Sequence, residues 1–152
     1  MSAPNHNLRA RLKDWLLLIY KVPREPTSSR VYVWRKLKQL GALLLHDSVW
    51  VLPASDRTQE QFQWLAAEII ELQGAATLAR AELVTSKQQR ELTSRFQEQA
   101  DLVFKEILQG LKKKKRDLTA LSRRFQQAQD LDFFHSQLAN QTREALLAAR
   151  GA

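Results

Sequence analysis

The densest chemical signal in the sequence is cationic. Lys112, Lys113, Lys114, Lys115 and Arg116 are consecutive, and Arg123 and Arg124 follow within two helical turns. A concentrated positive segment attracts polyanions, nucleic acid foremost. If the segment is helical, residues 112, 116 and 123 share a face, a surface able to track phosphates. The same run also fits a solvated helix face. No aromatic residue is interleaved with the lysines, so contact would be to the backbone and salt-sensitive rather than by base stacking. No helix-turn-helix pattern assigns sequence readout.

Arg30 is the second signal. It stands three, four and seven residues before Val33, Trp34 and Leu37, the spacing of one helical face. That predicts a half-buried guanidinium, which needs an anion or several carbonyls, or snorkels to local carbonyls. Arg35 and Lys38 sit toward the outer face and, with Arg30, form a candidate oxyanion site. Trp64 falls on the polar side of a second helical pattern. An exposed indole of this kind marks an interface, with the C-terminal helices, a dimer partner or another domain.

Other chemistries lack their residues. His6, His46 and His135 have no ligand spacing. There is no cysteine, which removes disulfides, thiolate metal sites and thiol redox chemistry. Four glycines form no phosphate loop, and Ser48 and Ser55 have no neighbouring histidine. No flavin or nicotinamide motif is present. The expectation is a binding protein without cofactor or metal. The longest apolar run, Trp15 to Tyr20, is too short to span a bilayer, and Met1 to Asp14 has no signal-type apolar segment, so a cytoplasmic protein without membrane contact is expected. The formal charge is +8 over 152 residues, and 44% of residues are hydrophobic, enough for a packed core.

The elements that must position these residues fall in a clear order. Residues 1–13 read as a flexible polar leader. Trp15 to Tyr20 reads as a central strand, ended by Pro23 and Pro26. A helix capped by Thr27 or Ser28 carries Val33, Trp34, Leu37 and Leu40 and stops at Gly41. Ala42–Leu45 and Ser48–Leu52 are strands joined tightly, hence antiparallel. Asp56 or Thr58 caps a helix with Phe62, Leu65, Ala66 and Ile69 inward, ended by Gly74. Thr77 to Val84 is the last strand. This β-α-β-β-α-β order is the split βαβ pattern of ferredoxin-like folds, an α+β class with two helices on one sheet face. The first and third strands are apolar on both faces, so a tail helix or a second copy should cover the other face. From Ser86 the pattern is helical only, with pieces near 86–111, around Leu118–Phe125, and from about Ser136; Gly110 and Asp130–Asp132 are the expected breaks. Three parts follow: a leader at 1–13, a ferredoxin-like domain at 14–85, and a basic helical extension at 86–152.

Several blocks carry a family resemblance. Asp14-Trp15-Leu16-Leu17-Leu18-Ile19-Tyr20-Lys21-Val22-Pro23 resembles the opening strand of the N-terminal domain of ChrB chromate-resistance regulators. Ser29-Arg30-Val31-Tyr32-Val33-Trp34-Arg35-Lys36-Leu37, Leu40-Gly41-Ala42, Val49-Trp50-Val51-Leu52-Pro53 and Trp64-Leu65-Ala66-Ala67-Glu68-Ile69 continue the resemblance, and Asp132-Phe133-Phe134 is similar to a short motif before that family's last helix. The resemblance implies a bacterial cytoplasmic module tied to transcriptional regulation of chromate efflux, with DNA and chromate or another oxyanion as partners. The sheet domain also looks like the ferredoxin-like fold of the CRISPR spacer-acquisition nucleases and of the central domain of phenylacetate-type repressors. Both related groups are dimeric, which implies a homodimer here. The nucleases place a metal-supporting aspartate near the end of the first strand. Here Tyr20 is followed by Lys21, a cation that would repel a metal.

Overall fold

The computed structural model describes residues 14–151. The leader expected at 1–13, with His6, lies outside the described residues. Four strands form one sheet: β1 (Asp14–Lys21), β2 (Leu43–His46), β3 (Val49–Pro53) and β4 (Ala75–Glu82), in the order β2-β3-β1-β4. Five helices complete the described chain: α1 (Thr27–Gln39), α2 (Asp56–Glu71), α3 (Ser86–Leu111), α4 (Leu118–Asp130) and α5 (Gln137–Gly151). Every strand pair is antiparallel. The fold is α+β, a ferredoxin-like sheet followed by helices. None of these helices is long and apolar enough to cross a membrane. The chain divides into two compact units, with the boundary between Gln89 and Arg90.

In the first unit the β1 register sorts side chains into two faces. Leu16 pairs with Leu52 and Arg80, and Leu18 pairs with Trp50 and Leu78. This face lies under the helices: Arg80 donates to Gln59 of α2 at 2.6 Å, and Leu16, Leu18, Trp50 and Leu52 are buried. Val33 and Leu37 of α1 and Phe62, Leu65 and Ile69 of α2 are buried too, each worth about 1.5–3 kcal/mol relative to exposure. On the opposite face Trp15 is buried and its indole N–H donates to Gln89 at 2.8 Å, whereas Ile19 is 41% exposed.

The α1 stripe differs from the sequence expectation. Its buried residues are Ser29, Val33 and Leu37, four apart. Trp34 is 52% exposed and Arg30 is exposed, because both stand one residue round from that stripe. The expected half-buried guanidinium is therefore corrected to an exposed one. Caps differ as well. Pro26 is the N-cap of α1 and no side chain caps it. Ser55, not Asp56 or Thr58, caps α2, and Thr58 completes a reciprocal capping box with it. Thr58 also donates to Pro53 O at 2.6 Å, tying helix to strand. The last strand begins at Ala75 rather than Thr77, immediately after Gly74, and Val84 lies beyond it, 95% exposed. At Gly74 φ is not positive; a Cβ there would meet Lys21 O at 2.4 Å. Close approach to β1 demands that glycine.

The second unit is helical. Phe104, Ile107 and Leu111 of α3, Phe125 and Ala128 of α4 and Leu146 of α5 form its core. Gly110 does not break α3 but brings it against α4: a Cβ would lie 2.9 Å from Leu121 Cδ2. Phe133 and Phe134 pack on Phe96, with centroids 5.8 and 6.1 Å away. The Asp132 carboxylate accepts from Ser136 N at 2.9 and 3.0 Å. In this structure the Asp132-Phe133-Phe134 motif is thus a turn that seats the start of α5.

Candidate functional site

Two cationic places stand out, one in each unit. The first is an open groove of about 800 Å³ lined by Tyr20, Lys21, Val22, Arg24, Thr27, Arg30, Val31, Trp34, Asp47 and Ser48. Three segments converge on it: the end of β1 with the following loop, the first two turns of α1, and the β2–β3 turn. Each is fixed locally. Tyr20 N donates to Ser48 O at 3.2 Å, joining β1 to the turn. Asp47 adopts φ 43 at the turn's tip, a conformation that aspartate tolerates well. Lys21 is held by pairing with Ala75 and by the close approach of Gly74. The Glu25–Pro26 peptide, leading into α1, is cis.

The groove carries three cations, Lys21, Arg24 and Arg30, and one carboxylate, Asp47. Its phenol, Tyr20, is half-buried. Burial pushes the Tyr20 pKa above the ordinary value, partly opposed by a hydrogen bond with Trp50 and by the nearby Arg30 charge. Tyr20 is therefore a neutral hydroxyl at physiological pH. Arg30 lines this groove, but Arg35 and Lys38 do not. The expected Arg30–Arg35–Lys38 set is thus not brought together there. Lys38 instead places its ammonium 6.0 Å from the Trp34 ring centroid, a cation–π arrangement. The sequence reading missed Arg24 altogether and valued Lys21 only as a cation unsuited to metal. The available signal for both is their position, within nine residues of Arg30; β3 beside β1 carries the 47–48 turn to the same place.

The second place is the α3–α4 connection. Lys112 to Arg116 are exposed; the four lysines lie in turn and bend and Arg116 in irregular backbone, none of them in a helix. The expected helix face shared by residues 112, 116 and 123 therefore does not form. Leu111 ends α3, and Asp117 caps α4 by accepting from Ala120 N at 3.0 Å. A run of five like charges disfavours continuous helix through mutual repulsion. Arg116 donates to Leu111 O at 2.8 Å. Arg124 pairs with Glu106 of α3, and Arg123 is exposed on α4. Trp64, 67% exposed on α2, faces outward as its spacing predicts. Among the described residues no group of three or more His, Asp or Glu gathers to hold a metal ion.

A family model described as "Protein ChrB, N-terminal" matches residues 30–128. This span takes in most of the sheet unit and the lysine connection. The chain belongs to the ChrB N-terminal family. The ChrB protein of Cupriavidus metallidurans is similar to it, 28% identical over 82 residues, which is 54% of this chain and 25% of that protein. The aligned stretch thus spans about a quarter of the length of the curated relative it matches. No solved structure matches at a significant level.

Proposed function

We propose that this chain is a ChrB-type regulatory module of bacterial chromate resistance, cytoplasmic and non-catalytic, that contacts DNA or supports a DNA-binding regulator. Membership of the ChrB N-terminal family carries this reading. The exposed Lys112–Arg116 connection supports direct contact with the phosphate backbone. With no aromatic residue in that run, the contact reads charge rather than bases. A mobility-shift titration with the chromate-efflux promoter tests it. The expected result is a shift at low salt that weakens steeply as salt rises; no shift at low salt removes direct DNA contact from the proposal.

A second reading is favoured by the groove. Lys21, Arg24 and Arg30 on one concavity suit an oxyanion such as chromate through charge-assisted hydrogen bonds. Arg35 and Lys38 of the sequence-based set would act only from outside it. Calorimetry with chromate and with sulfate checks this reading, and an unchanged titration for Arg30→Ala would remove that residue from the site. A homodimer, with Trp64 at an interface, is the third part of the proposal; the 67% exposure of that indole supports it.

A further inference from the structure

The groove at the end of β1 is much larger than a bare oxyanion needs. A tetrahedral ion is only a few times the ~30 Å³ that one water molecule occupies, against about 800 Å³ here. That volume lies in the range of sites for organic ligands. Its wall is also divided by chemistry. Lys21, Arg24 and Arg30 supply charge, whereas Trp34 and Val31, successive contributors from α1, supply flat and apolar surface. Trp34 is 52% exposed, and the Lys38 ammonium in the next helical turn lies 6.0 Å from its ring centroid. The hydroxyl-bearing side chains of Tyr20, Thr27 and Ser48 and the Asp47 carboxylate add hydrogen-bonding groups, the last able to accept from a sugar hydroxyl or a ring amine.

We propose that this groove binds a mononucleotide, its phosphate held by Lys21, Arg24 and Arg30 and its base against Trp34. The inference rests on the second reading above, that the groove takes an anion, and adds an aromatic part to that anion. Ionised guanidinium–phosphate hydrogen bonds are the strong contacts, and a base on an indole contributes a comparable increment. Tyr20 stays protonated because burial raises its pKa, so it adds no negative charge against the phosphate.

The test is calorimetry on the full chain at low salt, with AMP, inorganic phosphate, adenosine and a short deoxyadenosine oligonucleotide as separate titrants. AMP should bind about tenfold or more tighter than either phosphate or adenosine alone. Arg24→Ala with Arg30→Ala should remove binding of AMP and of phosphate together. Trp34→Ala should bring AMP down to the phosphate level while leaving phosphate unchanged, and Trp34→Phe should restore most of the difference. All three positions are exposed, and circular dichroism verifies that each variant is folded. Equal affinities for AMP and phosphate would overturn the inference while the anion reading stands. Absence of binding by every titrant would overturn both. An oligonucleotide bound more than about tenfold tighter than AMP would overturn the free nucleotide in favour of a single strand.

Discussion

The groove at the end of β1 and the α3–α4 connection both gather positive charge, but they hold it differently. In the groove the end of β1, the loop after it and the start of α1, consecutive in sequence, bring Lys21, Arg24 and Arg30 to one concavity, and the distant β2–β3 turn adds Asp47, with a neutral phenol among them. In the connection four adjacent lysines project into water from non-helical backbone, while Arg116 turns back onto Leu111 O. A concave set with mixed polar groups can select a ligand by shape. A solvated run of lysines attracts any polyanion and loses its hold as salt screens it. Backbone register supports the first and local composition suffices for the second.

The largest expected effect falls on the sheet unit that carries the groove. Gly74→Ala forces a Cβ against Lys21 O. It should cost about 2–3 kcal/mol of stability in denaturant unfolding and weaken anion binding, with the charge of the connection untouched. The next variant removes the connection instead. Changing Lys112 to Lys115 together to alanine should lower DNA affinity at low salt and reduce the salt slope by about 0.9 for each phosphate that is no longer neutralised, while calorimetric binding of small anions stays the same. Loss of both activities in either variant would collapse the distinction between the two regions. Ser55→Ala removes the α2 cap and should cost about 1 kcal/mol, read as a lowered melting temperature, without moving either binding activity.

Protonation sharpens the contrast further. The folded-state pKa of Tyr20 is raised above the ordinary 10.0, chiefly by burial. Its contribution to stability is therefore present below pH 10 and lost as pH rises through the folded value. Tyr20→Phe should flatten the alkaline limb of the stability profile, measured by denaturant unfolding at a series of pH values. Tyr32 is raised as well, first through its hydrogen bond to Glu68, so a spectroscopic phenol titration should show both groups ionising late. The smallest effect is expected of Trp64→Ala. Exposure makes a stability change of more than about 0.5 kcal/mol unexpected, and a shift toward monomer in analytical ultracentrifugation would support its place at a dimer interface.

Much of the fold is legible in the sequence because strong local signals agree. The run from Trp15 to Tyr20, the tight turn after His46 and the inward set Phe62, Leu65 and Ile69 lead to the observed strand order. Misreadings arise where one large side chain outweighs its neighbours. Trp34 draws the α1 stripe toward itself and Arg30, although the buried position a turn earlier belongs to the small Ser29. Val84 draws the last strand two residues too far. The charge of the Lys112–Arg116 run is plain, but its conformation is not, because a sequence pattern does not report repulsion against a helix end and a cap at Asp117. The groove is the least legible: its cations are close in sequence, but the concavity they share is completed by the 47–48 turn, which only the pairing of β1 with β3 brings alongside.

The strand order also has a consequence for association. It leaves β2 and β4 outermost, each with a row of backbone groups turned away from the sheet. The β2 edge has four residues, and its register breaks between Leu44 and His46, which makes it a poor template for another strand. The β4 edge runs for eight residues in regular register with β1. Its small alanines offer little obstruction, and Arg80 and Glu82 are the charges that guard its far half. If two copies add strand to strand, the asymmetry favours β4, and the joined sheet would then be continuous through eight strands.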